Sequence, residues 1–192
     1  MKRKFANESL VFLLIVMNRK LKLDELNRVS VEEFKSQKKL PIIVVLDNVR
    51  SLSNVGSFFR TSDAFKIEAI YLCGITAQPP HREIQKTALG ATESVEWKYF
   101  ETTEQALDRL KKKEFLIYAI EQTENSINLQ EFTYNLEKTA LIFGNEVDGV
   151  GQNVINLSKN SIEIPQFGTK HSLNVSISYG IVLWHFASKT LK

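Results

Sequence analysis

The chain reads as an α/β fold built on a parallel sheet, and three observations predict it. Short apolar runs alternate with helical periodicity from Leu40 onward. The runs are continuous, as in strands buried on both faces; Ile42-Ile43-Val44-Val45-Leu46 is the clearest. The length of 192 residues, 43% hydrophobic and 24% charged, suits one domain with a sizeable core and a short arm.

Each element follows from its local pattern. The strand at Ile42–Leu46 leads through a turn to a helix expected from Asn54 to Phe65. Ala69-Ile70-Tyr71-Leu72 is a second strand ending at Gly74, and Gln78-Pro79-Pro80 a loop. His81 to Leu89 reads as a short helix closed by Gly90. Val95 to Phe100 is a third strand. Thr102 to Lys113 is amphipathic, with Ala106, Leu107 and Leu110 on one face. Phe115–Ile120 and Thr139–Phe143 are further buried strands. A short helix is expected over Gln152–Leu157 and a last strand over Ser161–Ile164. Ser172 to Leu191 reads as a long helix, apolar almost all round from Ile177 to Phe186. Such a helix calls for cover by the sheet and by a second subunit.

Composition excludes several chemistries. One cysteine, Cys73, allows no internal disulfide, CxxC zinc site or iron–sulfur centre, and it reads as a small core residue. The three histidines are scattered, so no metal site is expected. His185 lies on the apolar helix and reads as a satisfied core residue; His171 adjoins Ser172 and is a candidate ligand contact.

The net charge is +3, unevenly placed: residues 1–40 hold ten Lys/Arg and five acids, so the remainder is acidic. A basic arm on a near-neutral body points to a polyanion, because neutralising phosphates drives non-specific nucleic-acid affinity. We divide the chain into a basic extension, 1–39, and a main α/β domain, 40–192. Residues 1–16 are read as a dispensable extension or a start placed too early. Leu10 to Met17 is too short to span a bilayer, no small-x-small cleavage site follows, and Met17 opens a second start. No membrane span is expected, and the location expected is cytoplasmic.

In parallel sheets ligands bind beyond the carboxyl ends of the strands, so the strand-to-helix turns carry the chemistry. In the first, LDNVRSLSNVGSFFRTSDAF, Asn54 is expected to cap the helix. Gly56 and Arg60 share one helical face, the glycine leaving room for a ligand near the guanidinium. In the second, TALIFGNEVDGVG, three glycines and two acids follow a buried strand. The spacing is neither a Walker A loop nor GxGxxG, and Glu146 capping the helix is an alternative reading. In the third, IEIPQFGTKHSLNVSISYG, Ser172 is the expected N-cap. Asn174, Ser176 and Ser178 interrupt an apolar segment and so face a site or an interface.

In this order and spacing the three turns resemble the signature motifs of the SpoU (TrmH-type) RNA ribose 2′-O-methyltransferases of the SPOUT superfamily. The resemblance covers essentially all of Leu40 to Leu191. It is carried by Asn54-Val55-Gly56 through Arg60-Thr61, by Phe143-Gly144-Asn145-Glu146 with Gly149, and by Ile164-Pro165, Gly168 and Ser172-Leu173-Asn174-Val175-Ser176. Lys86-Thr87-Ala88-Leu89-Gly90-Ala91 adds to it. Gln166 stands where the family often has methionine, in a loop whose backbone does most of the work.

The resemblance implies a parallel-sheet SPOUT fold with a C-terminal trefoil knot. It implies S-adenosyl-L-methionine held by backbone at Gly144, Ile164 and Leu173, with the loop after Ile120 nearby. It also implies a homodimer whose composite active site is completed across the interface. The substrate would be the ribose 2′-hydroxyl of tRNA, the first choice, or of rRNA. Arg60 is then the leading catalytic residue: a guanidinium gives up its proton only above about pH 12, so it would act by positioning phosphate and easing proton loss. Asn54, Glu146, Ser172 and Asn174 would orient ribose, cofactor or Arg60. A catalytically silent RNA-binding protein on the same fold is the alternative, and a Rossmann-type nucleotide enzyme lacks its glycine fingerprint.

Overall fold

The computed structural model describes residues 18–190, so the apolar run Leu10–Met17 and the expected start at Met17 lie outside the described residues. The chain divides between Ser30 and Val31 into two compact units. Among its described residues the first carries a 3₁₀ turn, Leu23–Leu26, beside an Arg19–Glu25 ion pair of 2.7 Å.

The second unit is a seven-stranded sheet with helices on both faces. Its strands are β1 (Leu40–Asp47), β2 (Ile67–Cys73), β3 (Trp97–Phe100), β4 (Leu116–Ile120), β5 (Ile127–Asn128), β6 (Thr139–Phe143) and β7 (Asn160–Glu163). Its helices are α1 (Val31–Ser36), α2 (Leu52–Phe65), α3 (Arg82–Ala88), α4 (Ala91–Ser94), α5 (Thr103–Lys112), α6 (Gln152–Leu157) and α7 (Val175–Ser188). The order across the sheet is β3-β2-β1-β6-β4-β7-β5, and every pairing is parallel.

The pleat of β1 shows why the sequence dictates this. Ile42, Val44 and Leu46 point into one core with Phe58 and Phe59 of α2 and Tyr179, Val182, Leu183 and Phe186 of α7. Ile43 and Val45 point into the other, with Ala106, Leu107 and Leu110 of α5 and Val154 of α6. Both faces are dry, so the strand needs an unbroken apolar run. Tyr179 stacks on Phe58 with ring centroids 4.4 Å apart, and its hydroxyl meets Ser62 Oγ at 2.7 Å.

Three local expectations are corrected. Helix α2 is capped by Ser51, whose hydroxyl accepts from the Asn54 N–H; this frees the Asn54 side chain for another task. Helix α7 is capped by Asn174, which accepts from the N–H groups of Ser176 and Ile177, so Ser172 stays in the preceding loop. Gly56 makes room for a helix and not for a ligand: a Cβ there would lie 2.0 Å from Thr87 Oγ1 and 2.4 Å from the Ile84 carbonyl. The short α1, α4 and β5 were not anticipated. Helix α7 buries one face and leaves Ile177, Ile181 and Trp184 exposed, an i, i+4, i+7 stripe. Cys73 is buried, which pushes its thiol up to about 12. His185 is half-buried and satisfied, its Nε2 2.8 Å from the Phe132 carbonyl.

Candidate active site

Where β4, β6 and β7 end, three loops enclose a cavity of about 510 Å³. Residues 120–122 form one wall, 143–149 a second, and 162–164, Gln166 and 171–175 with Ser178 the rest. This is the size of pocket that takes a nucleoside-sized ligand. Ile120, Gly144, Ile164 and Leu173 all stand on its wall, as do Glu146, Ser172 and Asn174.

The loop after β6 is folded on itself by backbone pairing. The N–H of Asn145 donates to the Gly149 carbonyl at 3.1 Å and the N–H of Gly149 to the Asn145 carbonyl at 3.1 Å. Asn145 Oδ1 closes the tip by accepting from the N–H groups of Val147 and Asp148. The crossing requires glycine twice. A Cβ on Gly144 would lie 1.9 Å from the Gly149 carbonyl carbon, and Gly149 itself has φ +67°.

Side chains from the three motifs then form one network. Glu146 accepts from the N–H groups of Arg50 and Ser51 at 3.1 Å each and from Asn54 Nδ2 at 2.8 Å. Its carboxylate therefore sits at the N-terminus of α2, where unpaired N–H groups and the helix dipole favour negative charge. Burial alone would raise its pKa, but the hydrogen bonds from Asn54, Arg50 and Ser51 outweigh it and hold the carboxyl below its ordinary value. A carboxylate can only accept, so the Asn54 amide nitrogen faces Glu146 and its oxygen faces away. That oxygen accepts from Asn174 Nδ2 at 3.2 Å and from Ser176 Oγ at 3.3 Å. Glu146, Asn54 and Asn174 thus link loops that are about a hundred residues apart in sequence.

Arg60 is placed differently. It is exposed on α2, six residues beyond Asn54, or about 9 Å along the axis. It is not on the cavity wall.

Sequence reasoning missed three residues that hold the cradle. Glu121 accepts from the Val150 N–H at 2.9 Å and occupies the space beside Gly149. Its neighbour Gln122 donates from Nε2 to the His171 carbonyl at 2.9 Å, so one dipeptide braces both major loops. Asp47, buried at the end of β1, accepts from Thr103 Oγ1 at 2.6 Å and from the Gly151 N–H at 3.1 Å. The available signal was an acid closing each of two buried strands, which costs stability unless it is paired. His81 caps α3, its Nδ1 accepting from the Glu83 N–H.

The wall is apolar at Ile120, Ile162, Ile164 and Leu173. It carries the carboxylates Glu121, Glu146, Asp148 and Glu163 and no lysine or arginine. That apolar and acceptor-rich lining suits an aromatic ring system joined to a cationic group. Among the described residues no cluster of three or more His, Cys, Asp or Glu could hold a metal ion. No helix among them is long and apolar enough to cross a membrane.

A parallel sheet with a ligand-sized cavity beyond the carboxyl ends of its strands places the chain in the broad class of open α/β ligand-binding folds. Within it, this chain belongs to the SpoU rRNA methylase family, whose sequence profile matches residues 41–184. It is 30% identical over 158 residues to a tRNA (guanosine(18)-2′-O)-methyltransferase of Aquifex aeolicus, covering 80% of this chain and 72% of that one. The crystal structure of an A. aeolicus TrmH/SpoU tRNA modifying enzyme superposes with a TM-score of 0.74 at 27% identity, covering 83% of this chain and 80% of the other. An AdoMet-bound rRNA methyltransferase from Sinorhizobium meliloti superposes with a TM-score of 0.72 at 27% identity, covering 86% and 62%.

Proposed function

We propose that this chain is an S-adenosyl-L-methionine-dependent RNA methyltransferase acting on a ribose 2′-hydroxyl of tRNA, with a guanosine as the target nucleoside. The observation that carries this reading is the convergence of three distant motif loops on one cavity, tied by the Glu146–Asn54–Asn174 network. The tRNA guanosine named for the Aquifex relative supports the substrate.

The residues fit the cofactor. The apolar wall at Ile120, Ile162, Ile164 and Leu173 suits an adenine, and the acidic wall a sulfonium and an ammonium. Backbone at Gly144, Ile164 and Leu173, with the turn after Ile120, would hold it. Bound there, it supplies an already electrophilic methyl carbon.

The chain's remaining task is to place a weakly acidic hydroxyl in line and ease loss of its proton. Arg60 does this by gripping an RNA phosphate bidentately, which brings its charge beside the developing alkoxide. Asn54, Glu146 and Asn174 act mainly by fixing the loops, and Ser172 faces the cavity for ribose or cofactor. Because Arg60 lies off the wall of its own chain's cavity, the working unit is a homodimer in which Arg60 of one subunit serves the cavity of the other. The exposed stripe Ile177, Ile181 and Trp184 supports that pairing. The C-terminal part carries the family's trefoil knot, supported by the way the chain recrosses the sheet from β6 to β7 beyond β4. The basic segment before Leu40 adds RNA affinity, and the enzyme works in the cytoplasm without a metal.

Mapping 2′-O-methyl groups in total RNA from a deletion strain tests the reading. It predicts the loss of a tRNA guanosine methyl, and an unchanged map refutes it.

A further inference from the structure

We propose that Phe167 is the platform on which a base of the substrate RNA stacks when its ribose enters the cavity. This inference rests on the RNA methyltransferase reading.

An exposed apolar side chain by itself needs no explanation. Phe167 is distinguished by its degree of exposure and its placement. It is 97% exposed, the most of any large apolar side chain among the described residues. It stands on the loop between β7 and α7, between Gln166 and His171, which are both on the cavity wall. The loop is anchored on the α7 side of the ring: Gln122 Nε2 donates to the His171 carbonyl at 2.9 Å, and Asn174 fixes the start of α7. The ring is open to solvent on nearly all sides, and the space at adjacent Gly168 is open as well, since a Cβ there would meet nothing beyond its chain neighbours within 4 Å. The structure therefore presents an uncovered aromatic ring, on a loop anchored at its α7 end, between two residues of the cavity wall.

The surroundings choose the partner. A protein interface needs a contiguous apolar centre of several residues. The residues next to Phe167 along the chain, Gln166, Gly168, Thr169 and Lys170, are all exposed and none is apolar in side chain. A lone ring with a cation three residues on suits a single base stacked on the ring, with an adjacent phosphate near Lys170. This is how unstacked RNA bases are held. The apolar stripe on α7 begins ten residues further along the chain and has the composition expected for a second copy.

The test measures binding of fluorescently labelled, unmodified tRNA transcripts to the full chain and to Phe167→Ala, Phe167→Trp and Phe167→Leu. S-adenosyl-L-methionine affinity is measured by calorimetry and oligomeric state by sedimentation. Phe167→Ala should weaken tRNA binding about 5- to 150-fold, the equivalent of ~1–3 kcal/mol per stacked base. Cofactor affinity and oligomeric state should not change. Tryptophan should restore tRNA affinity, and leucine, of similar bulk but without a π-face, should not. The inference is overturned if alanine leaves tRNA affinity intact or leucine matches the wild type. It is overturned equally if cofactor affinity falls in step, the ring then closing the cofactor cavity, or if the variant dissociates, the ring then seating on a second copy. A wild-type chain that binds cofactor but no tRNA overturns the tRNA reading itself, and is told apart because the failure precedes any substitution.

Discussion

Replacing Glu146 with alanine should loosen all three motif loops at once. The carboxylate serves three donors: two N–H groups at the start of α2 and Asn54 Nδ2. Hydrogen bonds to a charged group contribute about 1.5–3 kcal/mol each when water cannot replace them. Here the two backbone donors lie where water can reach them, so their loss costs little. The partly buried Asn54 amide loses most, together with about 0.3–1 kcal/mol of helix-dipole interaction. The expected destabilisation is about 1–3 kcal/mol, or roughly 2–12 °C in Tm for a domain of this size. The functional loss should be larger, because a loop displaced by 1 Å can cost ~10²-fold in rate. Glu146→Gln keeps one acceptor for Asn54 but turns an NH₂ toward a backbone N–H, so it should fall between alanine and wild type. Acidity supplies a second readout. The folded carboxyl titrates below its ordinary 4.5, so its contribution is complete above pH 4.5 and lost as pH falls through the lower folded value. Glu146→Gln should lack that part of the acid sensitivity. Thermal melts from pH 7 to pH 3, with cofactor binding by calorimetry, measure both. A Glu146→Ala protein with unchanged Tm, unchanged cofactor affinity and unchanged acid sensitivity would refute the reasoning.

Three further outcomes are expected. Gly144→Ala should abolish cofactor binding, because its Cβ would meet the Gly149 backbone at 1.9 Å and backbone cannot yield cheaply; calorimetry showing wild-type affinity would contradict this. Arg60→Ala should slow methyl transfer by roughly 10²–10³ with cofactor affinity unchanged. Mixing it with a Gly144→Ala protein after verified subunit exchange should restore activity, and no gain would place each site within one chain. Neutralising Lys20, Lys22, Lys38 and Lys39 should flatten the dependence of log tRNA affinity on log salt, and an unaltered slope would remove the basic segment from the RNA contact.

Legibility in the sequence followed the range of the interactions. Ile42–Leu46 and Thr139–Phe143 were legible because burial on both faces forces continuous apolar runs. The helix expected over Gln152–Leu157 has those bounds in the structure. The caps were misplaced because eligible residues crowd together. Ser51 precedes Asn54 by three positions and Asn174 follows Ser172 by two, and which one caps depends on which side chain is needed elsewhere. Asn54 and Asn174 bond each other across 120 residues, a fact no local pattern holds. Gly56 was misread for the same reason, since its close neighbour Thr87 lies 31 positions away. The wall residues Ile120, Gly144, Ile164 and Leu173 were found through the family resemblance. Glu121 and Gln122 belong to no motif used here, and their bracing role exists only once both loops are folded.

Methyl transfer in vitro tests the central claim most directly. The purified chain is incubated with S-adenosyl-L-methionine carrying a labelled methyl group and with unmodified tRNA transcripts, and the RNA is then digested to nucleosides and separated. The account predicts label on a 2′-O-methylated guanosine, lost with Arg60→Ala. Label on a base, or none despite bound cofactor, would contradict it.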